Sequence, residues 1–316
     1  MSPDQDTQDV LAATADGILR HNNFPEALRH YATSLLGWRE GPRLVNKISS
    51  THTRSQIVGY LMFLHYETPH NDKLTGPTYM RLLALCERRR DCSPRVLKTV
   101  LAMLRLAGLV SVSRSTADRR IKFYRPTAKL IDMMHQWYSQ TFGCFDILTA
   151  NGMNYARRAR SEPQFLQQVI LDIGHPYIED GILLIRKFPL IYDLFSMDNG
   201  FIVCASMVRA HLDGAPAPSP AAIAKAFGSS ASQMRNVLRH LNELHLVELS
   251  ENGKVRDCSA LVNLFSQSVA RELSLYAKFA LGLEEFFVMS PNAAPMSFAA
   301  LSLDGKSRRT RINEAG

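Results

Sequence analysis

Two stretches of the chain, 137 residues apart, share one apolar pattern, and this repeat restricts the fold more than any other feature. SPRVLKTVLAMLRLAGLVSVS (93–113) aligns without a gap over SASQMRNVLRHLNELHLVELS (230–250), with seven of 21 positions identical. Residues spaced by three and four lie on one face of a helix. The apolar residues with this spacing are Leu97, Val100, Leu101 and Leu104 in the first stretch and Met234, Val237, Leu238, Leu241 and Leu244 in the second. Two unrelated amphipathic helices would also share leucines, so the flanking elements decide whether the unit is duplicated.

Both stretches are flanked by the same order of predicted elements. Ser93-Pro94 is an N-cap serine followed by proline at the first helical position, so a helix is predicted to begin there and to end at Gly108. Helices are predicted over 56–65, 78–89 and 93–107 before strands over 109–113 and 121–125, and over 200–212, 219–227 and from 230 before strands over 246–249 and 255–258. Three helices followed by a two-stranded hairpin is the element order of a winged helix-turn-helix. The repeat therefore predicts two such units in one chain.

The expected fold class is mainly α with small β-hairpins, as tandem winged helix-turn-helix domains with helical N-terminal, linking and C-terminal segments. The predicted regions are a helical extension over 1–50, the first winged helix over 51–138, a helical linker over 139–199, the second winged helix over 200–280 and a C-terminal extension with a basic tail over 281–316. Within them, 39–53 is predicted to be a loop and 128–138 a helix. The apolar run 181–195 is predicted to be a buried helix or helix pair, because it is too short and too charged to span a bilayer.

The positive charge of the chain is concentrated around the first repeat. The net charge is +8 and the isoelectric point about 9.3. Residues 81–129 hold thirteen Lys or Arg and three Asp or Glu, a balance of +10, so the remainder of the chain is slightly acidic. A strongly basic segment favours an acidic polymer as partner, nucleic acid before membrane.

The charged residues of the first repeat fall on two predicted surfaces. Polar and cationic residues opposite the leucine face of the third helix are Arg95, Lys98, Thr99 and Arg105, and those in the turn 114–122 are Arg114, Asp118, Arg119, Arg120 and Lys122. Such side chains reach guanine edges or phosphates from the major groove, and an arginine inserts into a narrow minor groove. Asp118 is expected to orient an arginine by a salt bridge. The charged residues of a turn are often only solvated, and this alternative stays open for the turn 114–122.

The segment LRLAGLVSVSRSTADRRIKFYRPTAKL (104–130) resembles the MarR-type winged helix. The residues in register with that family's pattern are Leu104, Gly108, Leu109, Val110, Asp118, Arg119, Arg120 and Thr127. Pro126 stands where the family has leucine, and Leu130 stands where it commonly has glycine. The resemblance implies a DNA-binding transcription regulator in which Arg119 or Arg120 enters the minor groove with Asp118 as its orienting partner.

The second repeat departs from that pattern, because its turn SENGKVRD lacks the Asp-Arg-Arg sequence. Its candidate DNA-contacting residues are Ser232, Gln233, Arg235, Asn236, Arg239, Lys254 and Arg256. Gln, Asn and Arg side chains are suited to base edges, so this unit is expected to contact DNA with less electrostatic attraction. A degenerate copy that serves in assembly is the alternative.

Together these features predict a sequence-specific double-stranded DNA-binding transcription regulator. A plasmid-type replication initiator with tandem winged helices and a non-DNA winged-helix scaffold are the alternatives. No GxxxxGK[ST], HExxH or GxSxG motif is present, so no enzymatic activity, cofactor or metal site is predicted. The five scattered cysteines and the polar N-terminus predict reduced thiols and a cytoplasmic, nucleoid-associated location, without membrane association.

The sequence leaves two further partners open. The helices at the N-terminus (7–36) and C-terminus (261–287) are candidates for a homodimer interface. A small-molecule effector is the other candidate. The aromatic residues that would line its pocket, or else belong to the core, are Phe142, Phe145, Tyr155, Phe165 and Tyr177.

Overall fold

Fifteen α-helices and two antiparallel strand pairs make up the part of the chain that the computed structural model describes, residues 3–39, 43–67, 76–89, 92–115, 118–179 and 188–289. The helices are α1 Pro3–Arg20, α2 Phe24–Trp38, α3 Arg43–Ile48, α4 His52–Glu67, α5 Tyr79–Arg89, α6 Pro94–Leu106, α7 Ala128–Thr149, α8 Tyr155–Ser161, α9 Pro163–Gly174, α10 Pro189–Ser196, α11 Gly200–Leu212, α12 Pro220–Phe227, α13 Ala231–Glu243, α14 Ser259–Tyr276 and α15 Glu284–Met289. The strands are β1 Val110–Arg114, β2 Lys122–Pro126, β3 Glu248–Leu249 and β4 Val255–Asp257, and short π-helical turns cover His175–Glu179 and Ala277–Leu281. The predicted class, mainly α with small hairpins, is confirmed.

Helices α6 and α13 begin and pack in the same way. The hydroxyl oxygen of Ser93 accepts a hydrogen bond from the backbone N–H of Val96, and that of Ser230 accepts one from Gln233. Each cap satisfies a backbone donor that the first helical turn leaves unpaired. The fully buried residues occupy equivalent positions, and they are Leu97, Val100, Leu101 and Leu104 in α6 and Met234, Val237, Leu238 and Leu241 in α13.

The two helices also end alike, although the sequences differ there. Gly108 and His245 both adopt a left-handed conformation, with φ of 68° and 57°. The next residue then donates its backbone N–H to a carbonyl of the last helical turn at 2.9 Å, Leu109 to Leu104 and Leu246 to Leu241. This conformation is open to glycine and strained for histidine.

The hairpins that follow differ in length. In the first, five residue pairs extend from Val110 opposite Pro126 to Arg114 opposite Lys122. The second pairs Glu248 with Asp257 and Leu249 with Val255 around a register irregularity. The first hairpin therefore projects farther from its helices than the second.

The buried apolar residues form two main clusters. One surrounds α6 and includes Leu82, Leu104 and Leu130, while the other includes Phe142 of α7 and the apolar face of α13. Helix α7 contributes to both, because it continues to Thr149 instead of ending near residue 138. The boundary predicted between 138 and 139 thus lies inside one continuous helix.

The region predicted to be a loop, 39–53, contains helix α3 and the first residues of α4. Val45 and Ile48 of α3 are buried in the cluster around α6. A helix of six residues is too short for sequence periodicity to reveal, and packing stabilises it. Of the apolar run 181–195, residues 181–187 lie outside the described part, and α10 follows. Residues 290–316, with the predicted basic tail, also lie outside it.

Candidate nucleic-acid interface

The face of α6 opposite its buried leucines consists of polar and cationic side chains. Arg95, Lys98, Thr99 and Arg105 are all exposed. The Lys98 ammonium lies 5.8 Å from the centre of the Tyr79 ring, and the Thr99 hydroxyl donates to the carbonyl of Arg95 at 2.9 Å. The three cations therefore form one exposed row along the helix.

The turn of the β1–β2 hairpin presents a second group of exposed cations. Arg114, Arg119, Arg120 and Lys122 are exposed, and Arg114 and Lys122 lie opposite each other in the strand pair. Backbone hydrogen bonds of 3.0 Å from Ser115 to Ile121 and from Ile121 to Asp118 close the turn. Both hydrogen bonds join backbone groups, so neither depends on the cationic side chains.

Asp118 has a different role from the one expected. Its carboxylate accepts the backbone N–H of Arg120 at 2.9 Å, while its own N–H donates to the Ser115 hydroxyl. Among the described side chains it forms no salt bridge with Arg119 or Arg120. An Asx-type turn therefore takes the place of the expected salt bridge. The short Asp118 side chain reaches the backbone N–H of the residue two positions later more readily than it reaches a guanidinium group.

None of the seven cations on these two surfaces is paired with an acidic side chain within the described ranges. Other arginines do form such pairs, including Arg81 with Glu67 at 2.7 Å and Arg160 with Asp132 at 2.6 Å. An unpaired, exposed cluster of one sign attracts a polyanion and leaves its charges available for it.

In the second repeat, all but one of the predicted residues are exposed. The exposed ones are Ser232, Arg235, Asn236, Arg239, Lys254 and Arg256. Gln233 is half-buried, and both ends of its amide are engaged. Its Nε2 donates to the Asp198 carbonyl at 2.9 Å and its Oε1 accepts from the Ser229 hydroxyl at 2.9 Å. Gln233 therefore holds α13 against the preceding segment, and its amide is occupied within the protein.

No family model, curated protein or solved structure matches this chain. The residues of the candidate interface are therefore assigned from their exposure, charge and position.

Two further cations of the first repeat, outside the predicted set, are also exposed near these surfaces. Arg125 of β2 is exposed, with its guanidinium 5.7 Å from the centre of the Phe123 ring. Lys129 is exposed at the start of α7 and donates to the carbonyl of Ala107 at 3.1 Å. Arg125 is two residues after the buried Phe123 and therefore on the same strand face, so strand alternation did not predict its exposure.

A polar cluster around Asp198 connects the two repeats. The Asp198 carboxylate accepts hydrogen bonds from Lys47 (2.5 Å) and from Ser50 (2.7 Å) and Arg54 (3.0 Å) near the start of α4. Burial alone would raise the pKa of Asp198, but the hydrogen bonds from Lys47 and Ser50 and the charge of Arg54 outweigh it, so the pKa is lowered. Since the carbonyl of Asp198 binds Gln233, one residue joins α3 and α4 to α13.

Of the five aromatic residues considered for an effector pocket, Phe142 and Phe145 are fully buried and Tyr155 is almost so. Phe165 lies under Arg158, at 4.3 Å from the guanidinium to the ring centre. Tyr177 is the one of the five that lines the large cavity described below.

Metal-binding groups and membrane-spanning helices are both absent from the described ranges. No group of three His, Cys, Asp or Glu side chains there is placed to hold a metal ion. In the same ranges, no helix has the length and apolar character needed to cross a bilayer. None of the five cysteines, all within the described ranges, forms a disulfide bond, and burial raises the pKa of Cys144, Cys204 and Cys258.

Proposed function

We propose that this protein is a sequence-specific double-stranded DNA-binding transcription regulator built of two MarR-like winged helix-turn-helix units. The observation that carries the proposal is the row of exposed cations on α6 and on the β1–β2 turn, none of them paired with an acidic side chain in the described ranges. In this proposal the protein acts in the cytoplasm on the nucleoid and is not an enzyme.

The arrangement of the first repeat supports major-groove binding by α6. Its buried face packs on α4, α5 and β1, so the opposite face points away from the unit. Helix α6 has 13 residues, a length of about 20 Å, and a helix fits in the major groove of B-form DNA. Arg95, Lys98 and Arg105 would then bridge phosphates or reach guanine edges.

The hairpin supports a contact in the adjacent minor groove. Arg119 and Arg120 lie at the tip of the longer strand pair, on a backbone that Asp118 and the hydrogen bonds of the turn hold in place. A narrow minor groove has an enhanced negative potential that attracts such arginines. Arg114 and Lys122 would contact the phosphates that flank it.

The second repeat would supply a second reading head with fewer charges. Arg235, Asn236 and Arg239 are exposed on α13, and these residue types form hydrogen bonds with base edges. The Asp198 cluster would keep this helix in a fixed relation to the first repeat. One chain would therefore recognise two half-sites at a defined spacing.

The decisive experiment is selection of bound fragments from random double-stranded DNA, followed by measurement of the mass of the complex. Enrichment of a site with two half-sites, bound by one or two chains, supports the proposal. Failure to retard any duplex even at low ionic strength would refute DNA binding and favour the scaffold. Enrichment of tandem direct repeats, each bound by a further chain, would favour the replication initiator.

A further inference from the structure

A cavity of about 380 Å³ lies beneath the first repeat, between α2, α3, α4, α7, α9 and α14. Its wall is predominantly apolar. Its volume is within the range of sites that hold small organic ligands, roughly 300–1,000 Å³. The few polar groups on the wall therefore determine what kind of molecule it accepts.

Arg39 is a buried, unneutralised cation on this wall. Its side chain is 5% exposed. Its two terminal nitrogens donate to the backbone carbonyls of Asn46 (3.1 Å) and Ser49, while its Nε has no hydrogen-bond partner and no acidic side chain of the described residues pairs with it. Burial lowers the pKa of Arg39 to about 10, so the guanidinium is still charged at neutral pH.

A charge in such a position is costly unless an anion neutralises it. His52, also on the wall, has an Nε2 without a partner. Burial lowers the pKa of His52 to about 4, so this ring is neutral at pH 7. Arg39 and His52 thus provide one positive charge and one neutral hydrogen-bonding nitrogen on the wall of the same cavity, which together suit a ligand with a single negative charge.

The opposite end of the cavity disfavours a second negative charge. The Tyr31 hydroxyl donates to the carboxylate of Glu272 at 2.8 Å, and both residues line the cavity. Burial raises the pKa of Glu272, and hydrogen bonds from Tyr31 and Tyr276 partly oppose this. Tyr31 and Arg39 are eight residues apart along α2 and its end, which corresponds to about 12 Å.

We propose that this cavity binds an elongated apolar monocarboxylate, with its carboxylate at Arg39 and His52 and its tail extending toward Glu272. A carboxylate forms charge-assisted hydrogen bonds with the guanidinium, and the apolar wall buries the tail. This inference depends on the cavity alone and goes beyond the proposed DNA binding.

The two tryptophans of the sequence provide the readout. Trp38 and Trp137 both line the cavity, with ring centres 5.2 Å apart. The probes are decanoate, decan-1-ol, decyltrimethylammonium and decanedioate, each below its micellar concentration, titrated into the full chain while tryptophan fluorescence is recorded. Calorimetry gives the stoichiometry.

Decanoate is expected to bind with one site per chain and at least about tenfold more tightly than each of the other three probes. Arg39→Gln is expected to remove the preference for decanoate over decan-1-ol, whereas the exposed Arg157→Gln is expected to keep it. Equal affinity for decanoate and decan-1-ol, or no saturable binding of decanoate, would overturn the proposal. Should Arg39→Gln fail to fold by circular dichroism, the probe series on the unaltered chain still decides.

Leu104 and Leu109 of the first repeat also line the cavity, so the ligand would contact the buried side of the proposed DNA-contacting helix. If the protein binds DNA as proposed, saturating decanoate should therefore change the dissociation constant for DNA at least threefold; this regulatory effect rests on the proposed function. An unchanged constant, with decanoate shown to be bound, refutes this regulatory step. A chain that binds decanoate but no DNA refutes the proposed function instead, and leaves the ligand site supported.

Discussion

Replacing the two arginines at the tip of the first hairpin should flatten the salt dependence of DNA binding. Seven exposed cations lie on α6 and the β1–β2 turn. If each neutralises one phosphate, log K should fall with log salt with a slope of about −6, since each contact contributes about −0.9. Arg119→Ala with Arg120→Ala should reduce the slope to about −4.5. Between 50 and 200 mM salt, the variant should therefore lose about tenfold less affinity than the parent chain.

The structure indicates that this pair can be removed without disturbing the hairpin. Both side chains are exposed, and the contact between Asp118 and residue 120 uses a backbone N–H that alanine retains. Any change in binding should then reflect lost charge. Fluorescence anisotropy of a labelled duplex at four or more salt concentrations gives the slope directly.

The matched control is Arg20→Ala with Arg157→Ala, which removes the same charge from exposed positions of α1 and α8, outside both predicted winged helices. Its slope should equal that of the parent chain. The reasoning is refuted if the hairpin variant keeps the parent slope, or if the control variant flattens it equally, because the effect would then follow net charge and not position.

Three further predictions concern the second repeat and the ends of the repeated helices. Arg235→Ala should weaken binding to the selected site by about 1–3 kcal/mol and hardly affect random DNA, and equal losses on both would argue against base reading. Gly108 and His245 both have left-handed backbones, which favour glycine. Gly108→Ala should therefore lower the free energy of unfolding by about 1–2 kcal/mol, and His245→Gly should raise it slightly. Denaturant unfolding that gives the opposite signs would contradict this reasoning. A hydrogen bond to Asp193, 2.6 Å away, and the charge of that carboxylate raise the pKa of His240. The His240–Asp193 pair should therefore stabilise the fold at acidic pH, and this contribution should be lost as the pH rises through the raised pKa. In thermal unfolding, Asp193→Asn should lower the stability at pH 5.5 and have little effect at pH 8.5.

Much of the fold could be predicted because the signals for it are local. Steps of three and four residues identified the buried faces of α6 and α13, and Ser93 and Ser230 marked where these helices begin. Helix α3 was missed because one and a half turns contain too few residues to establish a period, and packing of Val45 and Ile48 stabilises it.

The candidate interface was predictable to the extent that it depends on charge and helix phase. Exposure of Arg95, Arg105 and the hairpin arginines follows from their position opposite a leucine stripe or in a polar turn. Gln233 has the same outward phase, yet its amide is hydrogen-bonded within the protein. Its partners are Ser229 and Asp198, which precede it by 4 and 35 residues. Helix phase gives a direction and says nothing about which neighbour lies there.

The sequence by itself determined the repeat, the helical class and the concentration of positive charge in one segment, since each is a property of neighbouring residues. Only the tertiary structure decided that Asp198 joins the two repeats and that Arg39, His52 and Glu272 share one cavity. Those residues are separated by up to 233 positions in the chain. They come together because apolar helices pack around them, and the chemistry of a buried charge depends on which groups that packing places within reach.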